Sequence, residues 1–199
     1  KSFKERNKEI GRYFSKSSFN EKIIRGKKGI ISQGISYQYT KEVLSSVESD
    51  YSFLKIGTAF PFPEDLVVDF LKEVDELLVI EELSPYIEEE KLKLIGQNKL
   101  NVDVFGKLTC HISFAGENSP ESLKASICNY LDIEYKNEIE DIEVDVPARP
   151  PILCGGCPHR GSFFAIKEAM KDRKAVFTGD IGCYTLGNAK PLEMVDTCL

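Results

Sequence analysis

The chain has 199 residues, 42% of them hydrophobic and 29% charged, with a formal net charge of -6 and an isoelectric point near 5.2. That composition belongs to ordinary globular domains, and the acidity disfavours nucleic acid and anionic membranes as partners. No run reaches the roughly 18 apolar residues of a membrane helix. The N-terminus lacks the apolar segment of a secretory signal, and six scattered cysteines do not make a secreted disulfide scaffold, so a cytoplasmic protein with reduced thiols is expected.

Residues 1 to about 25 are polar and helix-like, and read as a helical lead-in from a preceding domain. Beyond them, short apolar runs alternate with helical periodicity. Residues 29–34 read as a strand ended by glycine, and the helix that follows puts Ile35, Tyr39, Val43, Leu44 and Val47 on one face. A second strand covers 52–57. Pro63, Glu64 and Asp65 then open a helix whose Leu66, Val67, Phe70, Leu71 and Val74 share a side. The near-continuous apolar run at 76–83 predicts a buried strand, followed by a helix with Ser84 as N-cap and glutamates in its first turns, where the helix dipole favours them. A fourth strand is expected at 99–106, and a capped helix at 119–131 turns Leu123, Ile127, Tyr130 and Leu131 inward. This β-α-β-α-β-α-β order predicts an α/β domain over 26–131, a doubly wound, mostly parallel sheet with right-handed crossovers.

Residues 132–151 are acidic and end in a proline-rich turn, the composition of an interdomain linker. A second segment, 152–199, begins afresh. It holds a C-x-x-C elbow, a helix at 160–173 with Phe163, Ile166 and Met170 as its apolar stripe, a strand at 174–179 and a glycine turn. About 50 residues are too few to bury a core alone. With no initiator Met and an end at Leu199, the segment is expected to be the truncated start of a second α/β domain.

Chemistry concentrates in two stretches of that segment, CGGCPH at 154–159 and FTGDIGCYTLG at 177–187. The residues leave three readings open. A C-x-x-C pair at a helix start can be a redox dithiol, although the preceding strand of a thioredoxin-like unit is missing. Cys154, Cys157 and Cys183 are soft ligands of the kind that hold zinc or an iron–sulfur cluster, with His159, Cys198 or a residue beyond Leu199 as a fourth. The Gly179-Asp180-Ile181-Gly182 turn exposes backbone N–H groups able to cradle a diphosphate. Asp180 is equally an ordinary turn residue, and His111 is given no role.

The two stretches, with Pro191-Leu192 and Val195-Asp196-Thr197-Cys198, resemble the start of the thiamine-diphosphate-binding domain of the indolepyruvate:ferredoxin oxidoreductase alpha-subunit family. Upstream, GIISQGISYQYTKEVL, FLKIGTAFPFPEDLV, LLVIEELSPYIEEE and AGENSPE resemble that family's preceding transketolase-C-terminal-like domain. The resemblance implies oxidative decarboxylation of arylpyruvates, acyl transfer to coenzyme A and electron transfer through [4Fe-4S] clusters to ferredoxin, with a beta subunit as partner. Thiamine diphosphate with Mg2+ would supply the carbanion chemistry. It also implies that His159, Ile181, Gly182, Cys183 and Tyr184 line the cofactor, and that Cys154, Cys157 and Cys183 are candidate iron–sulfur ligands. Gly155 departs from the family, which usually has proline there. The magnesium site, the catalytic residues and the main clusters would lie outside these residues, so the chain by itself is expected to be inactive. Two alternatives compete: a sister 2-oxoacid:ferredoxin oxidoreductase acting on pyruvate or 2-oxoglutarate, and a non-catalytic α/β interaction module with a small cysteine metal site.

Overall fold

The computed structural model describes residues 2–135 and 145–198, in two compact units, Lys1–Ile139 and Glu140–Leu199. The acidic stretch of the expected linker, 136–144, lies outside the described residues.

The first unit opens with helix α1 (Phe3–Phe14), started by a capping box in which Ser2 N–H donates to the Glu5 carboxylate at 2.8 Å and Glu5 N–H to the Ser2 hydroxyl at 3.3 Å. The helical lead-in ends there. Strand β1 (Glu21–Ile23) joins the edge of the sheet antiparallel to β3 (Tyr51–Ile56), a strand that three residues of unclear periodicity did not announce. The other pairings are parallel: β2 (Lys28–Gln33) lies between β3 and β4 (Glu76–Ile80), and β5 (Asp103–Phe105) pairs with β4, giving the order β1-β3-β2-β4-β5. All four expected strands are therefore present, and β2 occupies the centre.

Helices cover both faces, so the sheet is doubly wound. Helix α2 (Gly34–Ser45) and α5 (Pro120–Tyr130) bury Tyr37, Val43, Leu44, Leu123 and Ile127 against Ile30, Leu78 and Ile80. On the other face, α3 (Glu64–Leu71) and α4 (Tyr86–Asn98) pack Val67, Phe70, Leu71, Ile87 and Leu94 against Ile31, Leu54 and Val79. Alternation along β2 sends Ile30 to one core and Ile31 to the other, as the period-two rule requires.

Two local expectations are corrected. Helix α2 is rotated from the predicted face: Ser36, Tyr37 and Thr40 are buried, whereas Ile35 is 48% exposed and Tyr39 is only half-buried. Thr40 is accommodated because its hydroxyl donates to the Ser36 carbonyl at 2.7 Å and so needs no outside partner. Helix α4 starts after Pro85, not with a Ser84 cap. Its first N–H groups are bound instead by the Glu81 carboxylate from the end of β4, which accepts from Ile87 at 2.8 Å and from Glu88 at 3.0 Å.

In the second unit, helix α6 (Pro158–Met170) is followed by β6 (Thr178–Gly179), a single 3-10 turn (Thr185–Gly187) and β7 (Thr197–Cys198), which pairs in parallel with β6. A small core of Leu153, Phe163, Met194 and Val195 holds these pieces together. The expected strand at 174–179 is reduced to its last two residues, and of the expected α6 stripe only Phe163 is buried, Ile166 being 43% exposed.

Candidate functional site

The C-x-x-C elbow closes as a turn, with the Cys157 N–H donating to the Cys154 carbonyl at 3.2 Å. Cys157 is the N-cap residue of α6 and Pro158 its first helical residue, a position that suits proline because no N–H is needed there. Arg160 ties the elbow down. Its guanidinium donates to the carbonyls of Leu153 and Cys154, at 2.5 and 3.1 Å, and so fixes the chain just ahead of the helix.

His159 stands at the centre of the grouping. Its Nδ1 lies 3.2 Å from the Cys157 sulfur, and its ring meets Tyr184 edge-on at a centroid distance of 5.0 Å. Phe163, one helical turn on, lies 6.2 Å from both rings. The helix and the glycine turn thus meet through an aromatic trio, a geometry in which ring edges and faces attract. The turn itself is braced by the Thr185 hydroxyl, which donates to the Asp180 carbonyl at 3.2 Å, and by Cys198, whose thiol donates to the Thr185 hydroxyl at 3.5 Å.

Of the residues singled out from the sequence, His159 and Tyr184 are brought together, with Cys157 beside them. Ile181, Gly182 and Cys183 lie on the exposed crest of the same turn, Ile181 with 75% of its surface open. Gly182 has φ +125°, backbone that only glycine adopts readily, and a Cβ there would meet nothing within 4 Å. The crest therefore offers accessible backbone and an apolar side chain beside two aromatic rings. That chemistry fits one wall of a site for a diphosphate-bearing aromatic cofactor.

The cysteines fit a metal less well. All six are free thiols, with Cys154 and Cys183 exposed and Cys157 half-buried. Among the described residues, no three His, Cys, Asp or Glu side chains come together as a set able to hold a metal ion. Cys154, Cys157 and Cys183 are therefore not assembled as ligands in this arrangement.

Arg160 has an organising role that the sequence did not announce, because its two carbonyl partners are set by the path of the elbow. The first unit holds a second unanticipated grouping, the buried Glu81, Glu88, Lys91 and Lys107. Its signal is the spacing of Ile87, Lys91 and Leu94, which places a lysine on the buried stripe of α4.

No family model matches the chain. Among curated proteins it is similar to indolepyruvate oxidoreductase subunit IorA of Pyrococcus horikoshii, 37% identical over 196 residues, covering 94% of this chain and 30% of that protein. The subunit IorA of Thermococcus kodakarensis is 39% identical over 86% of this chain and 27% of its own length, and that of Archaeoglobus fulgidus 35% identical over 96% and 32%. The chain thus spans about 30% of the length of the curated relatives it matches. A solved split-gene transketolase, described as an inactive beta4 tetramer, overlays 58% of this chain and 42% of its own with a TM-score of 0.43 and 15% identity. Among the described residues no helix is long and apolar enough to cross a membrane.

Proposed function

The chain is a relative of the indolepyruvate oxidoreductase subunits IorA along one segment of their length, and from that premise we propose that it is part of a 2-oxoacid oxidoreductase, with its second unit forming one wall of the cofactor site. The observation that carries this reading is the match itself, 94% of the chain at 37% identity. Indolepyruvate is the proposed substrate, with coenzyme A as acyl acceptor and ferredoxin as electron acceptor.

Thiamine diphosphate, when bound, supplies a carbanion able to add to the substrate's keto carbon and to stabilise the charge left by decarboxylation. This chain's share is positional. The exposed Ile181-Gly182-Cys183 crest gives the cofactor an apolar contact and backbone N–H donors. Tyr184, next to that crest, meets His159 edge-on, and Arg160 holds the elbow that precedes His159. No step is assigned to an iron–sulfur cluster at Cys154, Cys157 and Cys183, because these thiols are not gathered here.

The test uses the complete subunit with its partner subunit, purified anaerobically. Viologen reduction is followed with indolepyruvate and coenzyme A, with and without thiamine diphosphate. Cofactor-dependent reduction is expected. Activity with pyruvate alone would keep the class and change the substrate, and silence with every 2-oxoacid would leave an interaction module as the better reading.

A further inference from the structure

Helix α4 carries a lysine where a globular core has no place for one. Lys91 is completely buried on the stripe between Ile87 and Leu94, and its ammonium nitrogen has no hydrogen-bond partner. Two buried carboxylates act on it electrostatically, Glu81 from the end of β4 and Glu88 from the preceding turn of α4. Both are already committed to backbone. Glu81 accepts from Ile87 and Glu88, while Glu88 accepts from the N–H groups of Lys107 and Leu108, at 2.8 and 3.2 Å, in the turn that follows β5. The Lys107 ammonium is bound elsewhere, to the Ser113 carbonyl. Helix α3 packs along α4 with Val67, Phe70 and Leu71 buried, and its Glu64, Asp65 and Asp69 are exposed.

We propose that Glu81 and Lys91, buried beside Glu88, form a proton-binding pair that makes the clamp between α4 and the turn after β5 loosen as pH falls toward neutrality. An ammonium without hydrogen bonds in a dry interior is costly, so the closed cluster favours the neutral amine and any opening that admits water favours the charged form. Burial draws Lys91 down from its ordinary 10.5 to about 7, against the pull of Glu81 and then Glu88. Burial likewise pushes Glu81 upward, against the hydrogen bonds from Ile87 and Glu88.

The sign follows from proton counting. Between about 7 and 10.5 the closed state holds fewer protons at Lys91 than the open state, so closure strengthens as pH rises through that window and its Lys91 contribution is constant below it. Glu81 acts in the opposite sense. Its raised value favours closure in acid, and that contribution is lost as pH rises from 4.5 through the raised value. The two groups thus act in opposite senses, and the strengthening of closure above about 7 belongs to Lys91.

The experiment is amide exchange on the complete subunit at pH 7, 8 and 9, corrected for intrinsic chemistry, read at Ile87, Glu88, Lys107 and Leu108. Protection at these four amides is expected to rise, approaching about tenfold per pH unit. In Lys91→Met it should be flat. A wild-type change below about twofold over the range, or the same slope in Lys91→Met, overturns the proposal. Should the variant fail to fold, the wild-type slope decides alone.

Discussion

Gly106 stands so close to Glu88 that a Cβ built on it would lie 2.6 Å from the carboxylate. The missing side chain is what lets the carboxylate reach the N–H groups of Lys107 and Leu108. Gly106→Ala must therefore push a buried charge off two backbone donors or move the turn. Overpacking and lost charge-assisted bonds each cost about 1–3 kcal/mol. A stability loss of that size, read as a lower denaturant midpoint at unchanged slope, is expected. Full wild-type stability would mean that Glu88 has room to retreat.

Tyr130 ties α5 to the central strand, its hydroxyl donating to the Gly29 carbonyl at 2.9 Å in a buried setting. Burial, reinforced by Glu76, raises its pKa above the ordinary 10.0. The folded state thus keeps a proton that the unfolded chain releases. This contribution is intact below pH 10 and is lost as pH rises beyond it. Tyr130→Phe should cost about 1 kcal/mol at neutral pH and remove part of the alkaline decline. Urea titrations at pH 8 and 10.5 measure both effects, and identical pH slopes in the two proteins would contradict this account.

The parallel sheet was legible because its signals are local and repeated. Ile30 and Ile31, Leu77 through Ile80, and the α3 positions Val67, Phe70 and Leu71 carry apolar periods that leave few choices. The errors sit where polar atoms are buried by partners distant in sequence or concealed in the backbone. Thr40 faces inward by bonding its own helix, so a hydrophobic count prefers Ile35 and rotates α2 wrongly. Glu88 reads as a solvated first-turn acid until the turn after β5 arrives to bind it. In the second unit the two cysteine-bearing motifs were visible as motifs. Their meeting through His159 and Tyr184 was not, because it depends on how a 3-10 turn packs on α6, and no spacing within either motif encodes that.

Arg160 offers the sharpest test of the second unit. Its guanidinium holds the Leu153 and Cys154 carbonyls together, which keeps Cys157 half-buried under the elbow while Cys154 and Cys183 stay exposed. In the 199-residue chain, alkylation followed by mass spectrometry should modify Cys110, Cys154 and Cys183 first, Cys157 and Cys198 later, and the buried Cys128 last. Arg160→Met preserves much of the stem but removes both carbonyl bonds, worth about 1.5–3 kcal/mol each where the donor is charged. The elbow then opens, and Cys157 should react roughly tenfold or more faster, while Cys128 keeps its wild-type rate. A faster Cys128 would reveal general unfolding instead. An unchanged Cys157 would mean that the His159 contact and the Phe163 core hold the elbow without the arginine.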